Sequence, residues 1–270
     1  MTFPFSGATG IAVVTGASAG IGATYADRLA RRGHDLLLVA RRKEKLEGVA
    51  QAIRDAHGVA VETMVADLAE QSDLTRVAAR LTDDARITML VNNAGTATFA
   101  PVIKTGAAAV AAMIDVNVTA LVRLTLAVLP AFTARNSGTI VNIASVSALG
   151  ELPVTAFYSG TKAFILSFTR GLSGEFATTG IRIQAVLPAP VATDGWDNAG
   201  LPLSSLNPAS VMSVSHCVDA ALAGLDQGET ITLPSVEDAA TLLANYDAAR
   251  FALLGAAQSG APASRYKVAI

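Results

Sequence analysis

Short runs of aliphatic and β-branched residues recur through this chain, each followed by a stretch of helical length. That alternation constrains the fold more than any other feature. The candidate strands are 11–15, 35–40, 60–65, 88–92, 138–143, 181–187 and 230–233. Most are continuous apolar runs, such as Leu36-Leu37-Leu38-Val39, without the in/out alternation of a sheet that has one wet face. Strands apolar on both sides are buried on both sides. Between them, segment 21–32 stops at Gly33 and segment 43–57 stops at Gly58, and further helical stretches cover 71–82, 106–135 and 156–178. Strand–helix–strand units joined by right-handed crossovers give an α/β fold. The expectation is a Rossmann-type, doubly wound parallel sheet of about seven strands with helices on both faces. No linker or repeat interrupts residues 1–270, so a single domain is expected.

Composition excludes several alternatives. With 51% hydrophobic and 16% charged residues, the chain has ample material for a core. Its 20 Lys and Arg nearly balance its 22 Asp and Glu, so it has no basic field for nucleic acid. The one cysteine, Cys217, can form neither an intramolecular disulfide nor a cysteine metal cluster, and His34, His57 and His216 lack metal-ligand spacing. No metal site is expected. The start of the sequence lacks the pattern of a secretion signal. Segment 116–133 is apolar but carries Asn117, Arg123 and Pro130, and so reads as a core helix, with no role in a membrane expected. The reading is a cytoplasmic protein. Low charge with abundant Ala and Val also points to surface buried between subunits.

Gly16, Gly20 and Gly22 fall where the first strand gives way to the first helix. Glycines there let the backbone turn tightly, and the helix N-terminus then offers N–H groups and a partial positive charge to a pyrophosphate. Ser18 adds a hydroxyl. A dinucleotide site selective for NAD places an acid near the end of the second strand. Here that place reads Val39-Ala40-Arg41-Arg42, and Arg41 is placed to pair with a 2′-phosphate, with Arg42 beside it. NADP(H) is therefore expected over NAD(H). The bland alternative makes both arginines the solvated start of a helix.

Tyr158 and Lys162 are four residues apart in a helical segment and share a face. A nearby ammonium favours the phenolate of a tyrosine, and the lysine can also hold a ribose hydroxyl. Ser145 ends the fifth strand and can donate to a carbonyl oxygen, although Ser147 could play the same part. Asn117 sits where the long helical stretch should break, and can hold a water that relays protons to Lys162. The stretch 188–213, rich in Pro, Gly and Ser, follows the sixth strand and reads as a substrate-covering loop over about 189–213, with Trp196, Leu201, Leu203 and Leu206 as its apolar surface.

These residues resemble the classical form of the short-chain dehydrogenase/reductase family along essentially the whole chain. The family's glycine motif matches Thr15 to Gly22, including Ile21, and its Asn-Asn-Ala-Gly motif matches Asn92-Asn93-Ala94-Gly95. The resemblance implies a catalytic tetrad of Asn117, Ser145, Tyr158 and Lys162. It implies Asp67 and Leu68 beside the adenine and Asn93 beside the adenosine ribose. It also implies that Pro188, Val191 and Thr193 lie near the nicotinamide, although Ala189 replaces the family's glycine. Leu38-Val39-Ala40-Arg41-Arg42 is similar to the NADP-preferring branch. Homodimers or homotetramers are implied too.

The expected activity is that of an oxidoreductase, a carbonyl reductase in one direction, moving hydride between NADP(H) and a small, partly apolar carbonyl or secondary alcohol. Two rivals stand beside it. One is a regulatory Rossmann protein that binds NADP without catalysis. The other is a sugar-nucleotide epimerase or dehydratase, whose chains usually carry a larger C-terminal substrate domain than the residues after Pro188 supply.

Overall fold

The computed structural model describes residues 10–150 and 153–268. Seven parallel strands form one sheet: β1 (Ile11–Thr15), β2 (Asp35–Ala40), β3 (Val61–Val65), β4 (Ile87–Asn92), β5 (Gly138–Ile143), β6 (Ile181–Val186) and β7 (Ile231–Thr232), in the order β3-β2-β1-β4-β5-β6-β7. The chain winds one way from β1 to β3, then returns to the other side of β1 with β4. A crevice opens at that reversal, at the carboxyl ends of the strands. Each expected strand is present, with ends within one residue of the sequence reading.

Alternation along each strand fills both faces. Ala12 and Val14 of β1 join Leu36, Leu38, Tyr25, Leu29, Val218 and Leu222 on one side. Val13 joins Leu37, Val39, Leu74, Val77, Leu124, Val128 and Phe132 on the other. The first layer is covered by α1 (Gly20–Arg31), α2 (Lys43–His57) and α8 (Val214–Asp226). The second is covered by α3 (Gln71–Thr82), α5 (Leu121–Ala134) and α6 (Ala156–Glu175), with α4 (Ala107–Ile114) leading into α5. The apolar runs read from the sequence are thus buried on both sides.

The long stretch expected to break near Asn117 is two helices joined by a π-turn over Asp115–Ala120. Ala107–Ala134 as a whole is long and apolar enough to cross a membrane. Its Met113, Val116, Ala120, Leu124, Val128 and Phe132 are instead packed inside the protein. Gly138 admits the Phe132 ring at the start of β5, where any Cβ would overlap it. Between β6 and α8 the chain forms only a single-turn helix α7 (Gly195–Asn198) and two 3-10 turns, Leu203–Ser205 and Pro208–Ser210.

The chain divides into two compact units, one running to Ser235 and one from Val236 onward. The second holds α9 (Ala239–Ala256), capped by Asp238, whose carboxylate accepts from the Thr241 N–H, and a 3-10 turn over Ser264–Tyr266.

Candidate active site

The glycine turn is built from the inside. Thr15 closes β1 with its Oγ1 accepting from the N–H groups of Asn93 and Ala94, both at 3.0 Å, while Asn93 Nδ2 donates to the Thr15 carbonyl at 2.8 Å. Gly16 has φ +67°, and a Cβ there would come within 2.7 Å of Asn93 Nδ2. A Cβ on Gly22 would come within 2.5 Å of the same atom. Two glycines are therefore needed for the first helix to settle against the loop after β4. Asn93, assigned by resemblance to the ribose, spends its side-chain amide on this framework. The structural use of Thr15 was not legible, because its partners lie on a distant strand.

Helix α1 starts at Gly20, whose φ is +56°, with Ala19 before it. No side chain caps this helix and its first turn carries no acid. Its terminal N–H groups and positive end suit an anion that the protein itself does not supply. Ile21 packs on the first core layer and Ala94 on the second. Thr193 reaches over from the segment after β6, and its Cγ2 lies 3.2 Å from where a Gly20 Cβ would be. A cavity of about 400 Å³ opens beside this contact, lined by Gly20, Thr24, Thr193 and Asp194 among others. It borders the phosphate cradle and not the Tyr158 hydroxyl. These features fit a dinucleotide.

At the end of β2, Arg41 is 62% exposed by its side chain and pairs with Asp67 at 3.3 Å. Arg42, also exposed, donates to Ser18 Oγ at 3.1 Å. The two arginines thus flank the edge of the cradle from two sides. Leu68, beside Asp67, is buried.

The four residues of the expected tetrad converge. Asn117, placed by the π-turn and 1% exposed, accepts from the Thr96 N–H at 2.8 Å and donates to the Thr96 carbonyl at 2.9 Å and to Thr161 Oγ1 at 3.0 Å. Lys162 Nζ donates to the Ile143 carbonyl at 2.9 Å and lies 5.6 Å from the centre of the Tyr158 ring. A Cβ on Gly95 would lie 3.3 Å from Asn117 Oδ1 and 3.6 Å from Lys162 Nζ, so this glycine leaves the two side chains room to approach. Ser145 and Tyr158 join through a side-chain hydrogen bond. The Ser147 hydroxyl is buried without a partner instead.

Burial dominates the electrostatics. It raises the Tyr158 phenol above its ordinary value, against the smaller opposing effect of the Ser145 bond. It lowers the Lys162 ammonium from 10.5 to about 8. Desolvation, and not the lysine, is the largest influence on the Tyr158 phenol.

Beyond the tetrad, Pro188 accepts from the Val146 N–H at 3.0 Å and Val191 bridges to Met212. One neighbour was missed altogether. Phe99, in the loop after β4, meets Tyr158 edge-on with ring centres 5.5 Å apart. A lone aromatic in an irregular loop carries no periodic signal, and its partners come from distant segments.

A dinucleotide cradle at the sheet's reversal, with a Ser–Tyr–Lys–Asn cluster beside it, defines a Rossmann-type oxidoreductase site. The short chain dehydrogenase family profile matches residues 10–204, and the chain belongs to that family. A short-chain dehydrogenase from Sphingobium yanoikuyae, solved with NADPH, is 45% identical with a TM-score of 0.91, covering 95% of this chain and 100% of that one. The bulky-bulky ketone specific alcohol dehydrogenase from Comamonas testosteroni is 38% identical with a TM-score of 0.86, covering 95% and 98%. The very-long-chain 3-oxoacyl-CoA reductase-A of Danio rerio is 40% identical over 186 residues, or 67% of this chain and 58% of that protein. The chain spans only about three fifths of the length of such curated relatives.

Proposed function

We propose that this protein transfers hydride between NADP(H) and the carbonyl or secondary-alcohol carbon of a small molecule with bulky apolar substituents. The observation that carries this reading is the Ser145–Tyr158 hydrogen bond with Lys162 Nζ behind the ring, beside an uncapped helix N-terminus. Gly20, Ile21 and the α1 N-terminus would hold the pyrophosphate, Lys162 a ribose hydroxyl, and Val191 and Thr193 the carboxamide end. The bound nicotinamide supplies or accepts the hydride. Tyr158 gives its proton to the developing alkoxide in reduction and removes the alcohol proton in oxidation. Ser145 donates to the same oxygen and orients it. Asn117 fixes Thr96 and Thr161 around Lys162, and its place in the family's tetrad supports a part in proton relay.

The bulk of the substrate is supported by the similarity to the Comamonas enzyme and by the apolar residues of segment 189–213, which we read as a lid. NADP(H) over NAD(H) is supported by Arg41, Arg42 and the absence of an acid at Ala40, together with the NADPH bound to the Sphingobium protein. The same proposal takes the protein as cytoplasmic and as a homodimer or homotetramer, the assembly alone being supported by apolar side chains such as Leu126 and Phe164 exposed on α5 and α6.

The test is steady-state reduction of a ketone panel. Tyr158→Phe should lower kcat by roughly 10²–10⁴ while NADPH still binds. Wild type should favour NADPH over NADH by about 10–100-fold, the worth of one charge-assisted hydrogen bond. Ala40→Asp with Arg41→Ala should reverse that order. Near-normal turnover by Tyr158→Phe would end the mechanistic reading, and a wild-type preference for NADH would end the reading of Arg41.

A further inference from the structure

Three aromatic rings from three separate segments form a run of contacts, Tyr158 to Phe99 to Trp196. Phe99 stands in the loop after β4, Trp196 in α7 and Tyr158 in α6. The Phe99 and Trp196 rings stack with centres 5.6 Å apart and planes 28° from parallel, while Phe99 meets Tyr158 at 81°. Backbone bonds fix the arrangement. The Phe99 N–H donates to the Ala199 carbonyl at 2.8 Å, just past α7, and the Ala100 N–H donates to the Val154 carbonyl at 3.1 Å, just before α6. Trp196 Nε1 donates to the Val191 carbonyl at 2.7 Å. Both rings are only half-buried, so each keeps part of its surface open.

We infer that Phe99 and Trp196 form a specificity-determining wall that selects ketones bearing a planar aromatic group. This rests on the hydride-transfer reading above. Tyr158 is held in place by Ser145, and Phe99 abuts the Tyr158 ring, so the wall stands at a fixed distance from the oxygen that Tyr158 protonates. A planar ring entering beside that oxygen gains offset or edge-on contact with both side chains in addition to its apolar burial. A saturated ring of the same bulk gains the burial alone. The wall therefore discriminates by shape and quadrupole more than by hydrophobicity. Because Phe99 is bonded through its backbone to the lid beside Trp196, the same contact ties the seating of the aryl group to the position of the lid.

The sequence contains one tryptophan, so the emission of the protein reports this stack directly. The test compares ethyl phenyl ketone with ethyl cyclohexyl ketone on wild type, Phe99→Leu and Phe99→Tyr. Leucine preserves an apolar side chain and the Phe99 N–H, and leaves Trp196 with its bond to Val191. We expect Phe99→Leu to lose about five- to tenfold of the phenyl-over-cyclohexyl ratio in kcat/KM, mainly through KM, and Phe99→Tyr to recover most of it. Trp196 emission should shift when the phenyl ketone is added to the NADP-bound wild type, and less so in Phe99→Leu. A ratio unchanged in Phe99→Leu, or equal losses for both ketones, would overturn the wall and leave the stack as packing. Should wild type reduce neither ketone, the activity reading fails separately. The wall is then judged by emission: a phenyl-ketone response abolished in Phe99→Leu sustains it, and no response in wild type removes it.

Discussion

Lys162 illustrates how far a single residue is set by its surroundings. Its position four residues after Tyr158 was legible, because i,i+4 spacing puts both on one helix face. Its electrostatics were not, because they depend on burial, which other elements supply. The ammonium titrates at about 8 in the folded protein against 10.5 for a free side chain. Between those values the unfolded chain keeps a proton that the folded chain has lost, so stability rises with pH through that window. Below it, the buried charge opposes folding by a constant amount. Lys162→Met should therefore be more stable than wild type at pH 7, by on the order of 1–3 kcal/mol, with the gap closing towards pH 10. Urea midpoints across pH measure this, and a gap that ignores pH would refute it. Arg41 and Arg42 show the same division. Their place at the end of β2 was readable, whereas the turn of Arg42 towards Ser18 was set by tertiary packing.

At the scale of elements, the strands were read almost to the residue because double-sided burial writes an unbroken apolar run. Helix α9 left no such trace. Its Leu242, Leu243, Tyr246, Phe251, Leu253 and Leu254 share one half of the helix, but alanines such as Ala244, Ala248 and Ala252 fill the other, so no apolar–polar contrast marks it out against loop. The segment between β6 and α8 is a graded case. Its base is held by the Ala192 N–H to Met212 and the Met212 N–H to Pro190, each at 2.9 Å, and Ala199 is anchored by Phe99. Residues 201–210 rest mainly on local turns. If the segment is a lid, amide exchange across 201–210 should be fast in the free protein and slow about tenfold or more with NADP(H) and ketone bound. The amides of Ala192 and Met212 should be slow in both states. Equal, slow exchange at 201–210 in the free and bound protein would remove the lid.

For the main unit as a whole, the winding order was legible from strand–helix alternation, while the ties between distant helices were not. Arg32 grips Asp226 with two bonds of 2.8 and 3.0 Å, and Arg28 reaches Asp219 at 2.8 Å. These pairs fasten α1 to α8 and so link the first βα unit to the last one before β7. Charged residues on helix surfaces are common, and sequence does not reveal which will meet. Asp226→Asn should lower stability by about 1 kcal/mol, with the loss shrinking at about 1 M salt. A cost independent of salt would mean that packing, not charge, is what Asp226 supplies.

Deep under α5 and α6, Asn92 and Asn142 face each other across β4 and β5 as register partners. Asn92 Nδ2 donates to Asn142 Oδ1 at 2.9 Å and to Thr125 at 3.1 Å, and Asn142 Nδ2 donates to Thr169 at 2.9 Å. Both asparagines are almost completely enclosed. Neighbouring runs of Val, Ile and Leu could slide past each other at little loss, since one aliphatic side chain replaces another. Sliding one strand by a single position would turn its amide to the opposite face of the sheet and cost each asparagine the other as a partner in a buried setting. This polar rung makes the misaligned sheet costly, and so holds the strand ends that carry Asn93 and Ser145 at the same height.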